Sequence, residues 1–343
     1  MAVVVTHKDV IQQSQQVWDQ FGESKWIPYA RENAKLARRH TDELRNVGIG
    51  RFLVSAAMGE SLEDAIPLLK KYRDRVDIVT CDKGFGALLD HGVKADYVMI
   101  CDCNIPARWI DPYIEQTVGV KLIATPYANV EWTTRWKGPR YFIVNKDAIR
   151  TERHFLDLFG PDARVVPAAT NVSNAMVVFF TGCDDGSNIN WGGYERILLT
   201  GYDYSWRPGS SSMPGQPTGK YYAFNDPAPK RFYMAHRHMQ DVNQNLVWTS
   251  ENLFFSAKWL FSYLTTFQLP VINCSDRGLL FLPNRDRLER QLESITPDPG
   301  ARQRARDAFE SAKSANRAFE SAKSYFEKTR EGLYKWPSVT MQK

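Results

Sequence analysis

No apolar run in the 343-residue chain approaches the roughly 18 to 20 residues that a membrane span needs. The longest, "RILLTGY" and "NLFFSAKWLF", stop well short, and the opening "MAVVVTHKDVIQQ" lacks the basic-then-apolar pattern of a signal peptide. A cytoplasmic protein without a membrane span is therefore expected. A basic tail or dense Lys/Arg block is missing too: 44 basic and 39 acidic residues are spread along the chain, for a formal charge of +5. That balance is a mild attraction to anions and carries no specific nucleic-acid signature. Cysteine is scarce. The five, Cys81, Cys101, Cys103, Cys183 and Cys274, form an odd set without the spacing of a secreted disulfide scaffold. Cys101 and Cys103 stand too close for a usual zinc knuckle, so reduced packing thiols are the expectation.

What is present is a 43% hydrophobic composition, enough for one large core with appendages. Residues 8 to about 48 are polar with a helical pattern, and 1–50 reads as an N-terminal helical extension. From residue 51 short β-rich runs alternate with helical ones: "RFLVSAA", "SLEDAIPLLKKYRDR", "VDIVTCD", "FGALLDHG", "ADYVMICD", a helix-like "PARWIDPYIEQ", then "VKLIATPY". The alternation continues more weakly through "RYFIVN", "ARVVPAA", "NVSNAMVVFFTGC" and "YERILLTGYDYSW". Parallel neighbours need crossover connections, so the pattern predicts an α/β fold, a Rossmann-like, mostly parallel sheet with flanking helices, over 51–292.

A loop rich in Gly, Ser and Pro, "RPGSSSMPGQPTGKYYAFNDPAPK", is too long for a plain connection and reads as a lid. A helix over "NQNLVWTSENLFFSAKWLFSYLTTF" and a last strand, "PVINCSD", follow it. Residues 293–343 read as a C-terminal helical segment, with "AFESAKS" at 308–314 and again at 318–324. It serves either as a solvated cover or as a contact in a homo-oligomer.

Ligands of parallel α/β sheets gather at the carboxyl ends of the strands, so polar residues there are the candidate site. Gly59 permits a tight turn after the first strand, and Ser61 with Asp64 looks like a capping box whose first-turn amides would make an anion site. That turn lacks the glycine spacing of a dinucleotide fingerprint or P-loop. Asp82 and Asp102 end the next two strands and should lie close together. Two carboxylates beside a phosphate call for a metal, a lysine or sugar hydroxyls. Asp96 precedes its strand and reads as a structural cap at the opposite end. Thr170, Asn171, Ser173 and Asn174 open a later helix, where short polar side chains suit a base, sugar or phosphate. Asp203 follows a strand within an aromatic group of Tyr202, Tyr204 and Trp206. "YMAHRHMQD" brings His236, Arg237 and His238 together on an irregular segment, offering a general base or a phosphate contact. Asn273, Ser275 and Asp276 end the last strand at the same edge.

The ordered set "VSAAMGESLEDAIPLLKKY", "VDIVTCDKGFGALLDHGVKADYVMICDCN", "NVSNAMVVFF", "YERILLTGYDYSW" and "VINCSDRG", spread over about residues 50 to 290, resembles one family. It is the group of the archaeal 6-hydroxymethylpterin pyrophosphokinase and the central domain of motility-associated flagellin glycosyltransferases, with a more distant likeness to bacterial sialyltransferases. Glu60 stands where that family has proline, and Ala95 departs from its Pro-Asp. The resemblance implies a Rossmann-like domain handling phosphorylated nucleotides, with Ser61, Asp82, Asp102, Asn171, Ser173 and Asp203 lining the pocket. Three functions follow as expectations. One is a glycosyltransferase using a nucleotide-activated sugar, such as a nonulosonic acid carried on CMP, on an unknown acceptor, with His236 or His238 as base. The second is transfer of pyrophosphate from ATP to a hydroxymethyl compound, with Mg²⁺ on Asp82 and Asp102. The third is a noncatalytic nucleotide-binding scaffold.

Overall fold

The computed structural model describes residues 22–145, 149–160, 163–167, 169–182, 190–207, 236–296, 300, 303–304 and 307. The expected lid over 207–230, apart from Arg207, and the repeated "AFESAKS" segments lie outside the described residues.

Eight strands form one sheet. In chain order they are β1 (Phe52–Ala56), β2 (Val76–Cys81), β3 (Tyr97–Ile100), β4 (Lys121–Ala124), β5 (Arg140–Asn145), β6 (Arg164–Val166), β7 (Arg196–Thr200) and β10 (Val271–Asn273). Their spatial order is β10-β7-β1-β2-β3-β4-β5-β6, and every pairing is parallel. The chain walks outward from β1 to β6, then returns to lay β7 against the other side of β1. The order therefore reverses at the β1/β7 boundary, the place where loops diverge and open sheets of this kind hold ligands. The Rossmann-like α/β expectation is met.

The central strands are buried on both faces, as apolar parallel strands covered by helices must be. Side chains alternate across the pleat. Leu53, Val79, Tyr97, Met99 and Ile123 face α6 (Val172–Thr181) and α7 (Glu251–Phe267). Val54, Ala56, Val76 and Ile78 face α2 (Ser61–Lys71) and α8 (Leu288–Glu293). Further along that second face, Val98, Ile100 and Leu122 pack against α3 (Asp82–Asp90) and α4 (Val130–Arg135). Helix α2 carries Glu63 and Asp64 in its first turn and Lys70 and Lys71 in its last, the charge order the helix dipole favours.

The N-terminal helix α1 (Ile27–Ala34) joins this second layer. Asn33, fully buried, donates from Nδ2 to the carbonyls of Pro126 (2.8 Å) and Ala128 (2.9 Å), and Trp26 stacks on Tyr127 with ring centroids 4.1 Å apart. Helix α5 (Ile149–Phe159) follows β5. At the other end α8 spans the expected boundary at residue 292, its Leu288 and Leu292 buried.

Three local expectations are corrected. "PARWIDPYIEQ" forms three 3-10 turns, Ala107–Trp109, Asp111–Tyr113 and Glu115–Thr117. Pro106 and Pro112 lack the amides a continuous ladder needs. The helix expected from residue 243 begins only at Glu251, because "LVWTS" is strand β9 (Leu246–Ser250), with Leu246 exposed, Val247 buried and Thr249 buried in period-two alternation. Its partner is β8 (His236–Gln240), so the histidines expected on an irregular segment stand on an antiparallel hairpin. Asp241 closes that hairpin by accepting the amides of Asn243 (2.8 Å) and Asn245 (2.9 Å).

Candidate functional site

The loops after β1, β7 and β10 are knitted together at the reversal point. Gly59 donates its amide to the carbonyl of Gly201 at 2.8 Å, Tyr202 donates its amide to Ser275 Oγ at 2.9 Å, and Leu279 donates to the carbonyl of Asp203 at 2.8 Å. Close approach explains the glycines. A Cβ on Gly59 would lie 2.6 Å from Asp203 Cγ, and one on Gly278, whose φ is +98°, would lie 2.3 Å from the Asp203 carbonyl oxygen.

Asp203 occupies the N-terminus of α2. Its carboxylate accepts the Ser61 amide at 2.8 Å and the Ser61 hydroxyl at 2.5 Å, while Ser61 Oγ accepts the Gly201 amide at 3.2 Å. The expected capping box is therefore not formed: Glu60 holds the cap position without a side-chain hydrogen bond to the helix amides, and Ser61 is the first helical residue. A carboxylate from the loop after β7, 142 residues away, fills the place where an anion was expected. Burial pushes this carboxyl up to about 7, against the Ser61 hydrogen bonds and the Arg277 charge, which pull it down. Glu60 is buried in an ion pair with Arg207, Oε2 to Nε 2.9 Å.

The α6 N-terminus is likewise committed to the fold. Asn171 caps it, its Oδ1 accepting the Asn174 amide at 2.9 Å. Asn174 is fully buried and donates to Thr170 Oγ1 (2.8 Å) and the Ser256 carbonyl (3.0 Å), while its Oδ1 accepts the Tyr204 hydroxyl. Ser173, partly exposed, accepts the Tyr202 hydroxyl at its carbonyl, 2.8 Å. Tyr202 also pairs with Ser55 in the middle of β1 at 2.7 Å. Tyr204 holds φ +52° in the left-handed region, unusual for a bulky residue.

Asp82 and Asp102 follow the adjacent strands β2 and β3, as expected. Asp82 opens α3 and is partly buried; burial raises its carboxyl, the Lys83 amide and ammonium oppose that, and the charge of Asp102 adds to it. Asp102 is exposed and accepts the Asn104 amide at 2.7 Å in its own turn. Two lysines answer the charge conflict. Lys83 sits beside Asp82, its Nζ 4.6 Å from the ring centroid of Trp109. Lys25, brought in by the segment before α1, donates to Asn104 Oδ1. The run Lys83, Asp82, Asp102, Asn104, Lys25 thus follows the carboxyl edge of β2 and β3. Sequence reasoning missed both lysines: Lys83 is visible beside Asp82 in "TCDKG", whereas Lys25 lies far away in a segment without a motif.

Burial pushes the thiols of Cys81 and Cys101 up, with Asp82 adding to both, which suits packing residues and not nucleophiles. Asp96 behaves as the expected cap, accepting the Ile78 amide and Arg73, each at 2.8 Å. His238 is exposed on β8 with its ring 3.7 Å from that of Trp248, edge-on. His236 opens that strand, and its side chain lies outside the described part. The hairpin docks on the β7 loop through Trp206 and Trp248, which exchange backbone hydrogen bonds of 2.8 Å, and through Thr249 Oγ1 to the Tyr204 carbonyl, also 2.8 Å. Among the described residues, no group of three or more His, Cys, Asp or Glu gathers as a metal site, and no helix is long and apolar enough to cross a membrane.

The model of the family described as 6-hydroxymethylpterin diphosphokinase MptE-like matches residues 29–209, just over half of the chain. The chain belongs to the MptE-like family. No curated protein matches it. Among solved structures it is similar to the MAf glycosyltransferase from Magnetospirillum magneticum AMB-1, at 16% sequence identity and a TM-score of 0.55. That likeness covers 77% of this chain and 37% of the other, so it speaks for the fold alone and this chain corresponds to little more than a third of that protein. Both descriptions are of group-transfer enzymes. The family match begins at Tyr29 and so leaves Lys25 and Trp26 outside it, although both pack onto the matched core.

Proposed function

We propose that this MptE-like protein is a nucleotide-dependent transferase, and that the donor is a nucleotide-activated sugar whose glycosyl group passes to an acceptor hydroxyl. The observation that carries this reading is the edge formed by Asp82, Asp102, Lys83 and Lys25. Carboxylates there accept hydrogen bonds from ribose or sugar hydroxyls, and the ammonium groups meet the phosphates. Because Asp203 already fills the α2 N-terminus, phosphate recognition falls to the lysines and not to that helix. Asn171 and Ser173 border the reversal point from the other layer and the turn at Gly59 borders it from the α2 side, while Asn174 and Ser61 act by holding these borders rigid. His236 and His238 are the candidate bases for the acceptor proton, on a hairpin fixed to the β7 loop.

A second reading, diphosphoryl transfer from ATP to a hydroxymethyl compound, is supported by the family description and by the paired carboxylates. Asp82 and Asp102 fit a Mg²⁺ ion, which commonly takes one or two carboxylates and completes its shell with phosphate oxygens and water. Held there, it would supply neutralising charge to the phosphates. A thermal-shift panel of CMP, CDP, UDP, GDP, ADP and ATP with and without Mg²⁺ separates the two, since a bound ligand stabilises the folded state. Stabilisation by CMP or another sugar-carrier nucleotide without metal is expected for the sugar transferase. Stabilisation by ATP only with Mg²⁺ favours the second reading. If Asp102→Asn leaves nucleotide binding and turnover intact, the edge is not the site.

A further inference from the structure

A cleft of about 630 Å³ lies at the carboxyl ends of β7 and β10, on the layer of α2 and α8, within the size range of small-molecule sites. The proposed donor edge at β2 and β3 is separate from it: β1 intervenes, and each strand step is about 4.8 Å. The floor of the cleft is polar and buried. Thr200 is 1% exposed and Ser275 2%. Ser275 Oγ accepts the Tyr202 amide, which leaves its own proton to give.

The walls are prebuilt. The segment that carries Arg285 and Asp286 is tied to β10 by the Asn273 amide on the Asn284 carbonyl (3.0 Å) and the Asp286 amide on the Asn273 carbonyl (3.2 Å). The next turn, α8, is anchored by its buried leucines and by the Tyr72 hydroxyl on Glu293, 3.1 Å. The opposite wall is α2 itself.

The charges decide what such a cleft accepts. Asp286 pairs with Arg290 at 3.2 Å, Glu289 stands 4.0 Å from Arg287, and Asp64 and Asp276 both meet Arg277 behind the wall. Arginines and carboxylates therefore alternate with no large surplus of either sign, so a dianion would meet the repulsion of Asp64, Asp276, Asp286 and Glu289 along with the attraction of the guanidinium groups. A neutral polyol meets no such cost: guanidinium groups donate to its hydroxyl oxygens, while carboxylates accept its hydroxyl protons. Vicinal hydroxyls match these planar, two-toothed groups well. We infer that the cleft is a second binding site, for a neutral, hydroxyl-rich small molecule of the monosaccharide class. The inference does not depend on the transferase reading.

The test is saturation-transfer NMR and calorimetric titration of the full chain with glucose, galactose, mannose and N-acetylglucosamine, with inorganic phosphate and glucose 6-phosphate as charged comparisons. At least one neutral sugar should bind with a dissociation constant of about 10 mM or tighter. Arg285→Ala with Glu289→Gln, both on the exposed rim, should weaken it at least tenfold with the melting temperature unchanged. In the same variant the nucleotide shifts should stay as in the wild type, which separates this site from the donor edge. Binding of none of the four sugars, or sugar binding untouched by the double variant, overturns the inference. So does inorganic phosphate competing at lower concentration than the sugar, which would make the cleft an anion site.

Discussion

Asp203 should make the protein less stable as pH rises from acid to neutral, opposite to what a salt-bridged carboxylate does. Its carboxyl is 1% exposed, and burial raises its pKa to about 7 from the ordinary 3.8. The folded state thus holds this proton more tightly than the unfolded one. Stability from this group is complete below about pH 4, falls through the interval, and levels off above pH 7. The whole gap corresponds to about 4 kcal/mol, of which about 3 kcal/mol falls between pH 4.5 and 8. Asp82 and Asp96 are raised as well and Asp286 is lowered, so the informative quantity is a difference. Asp203→Asn keeps an oxygen to accept the Ser61 amide but cannot ionise. Urea unfolding followed by tryptophan fluorescence, at steps from pH 4.5 to 8, gives the curve of wild type minus variant. It should fall by about 3 kcal/mol across the range, counting only the slope and not the constant offset. A difference curve that is flat within about 1 kcal/mol, or that rises with pH, would show that Asp203 is ionised at low cost and that its burial against Ser61 is not the governing effect.

Gly59→Ala places a methyl against Asp203 and Gly201 and should cost about 1 to 3 kcal/mol in chemical denaturation; an unchanged midpoint would mean the two loops do not meet as closely as described. Asp77 receives Arg51 at 2.8 Å and the Tyr194 hydroxyl at 3.0 Å, with both ionic partners largely buried. Its replacement by Ala should lower stability by about 3 to 5 kcal/mol, since it strands a buried guanidinium, and a loss under about 1 kcal/mol speaks against that. Lys25→Ala should leave the melting temperature of the unliganded protein within a degree or so while weakening nucleotide binding severalfold, because its ammonium reaches the exposed Asn104 and exposed polar contacts add little to stability. Equal nucleotide shifts in variant and wild type would remove Lys25 from the donor edge.

The strand runs "FLVSA", "VDIVTC" and "YVMI" and the helices between them were legible because burial on both faces leaves continuous apolar strands, and crossover connections leave amphipathic helices. Asp82 and Asp102 were legible as strand-end carboxylates for the same reason. Segments whose pattern is short or interrupted read less well: the prolines of "PARWIDPYIEQ" break its ladder, and the period-two run of "LVWTS" runs straight into a helix, its last residue Ser250 serving as the helix cap. By itself, then, the amino-acid sequence determined the class of fold, the mostly parallel sheet, the closeness of the strand ends at Asp82 and Asp102 and the edge at which polar side chains collect, since these follow from local periodicity and chain connectivity. Only the tertiary structure decided that β7 returns beside β1, that Asp203 and not a ligand occupies the start of α2, that Asn174 is consumed by the core, and that Lys25 arrives at Asn104 in the turn after β3. Each is a contact between residues tens to more than a hundred positions apart, and no local pattern records which distant partner a hydrogen bond or charge will find.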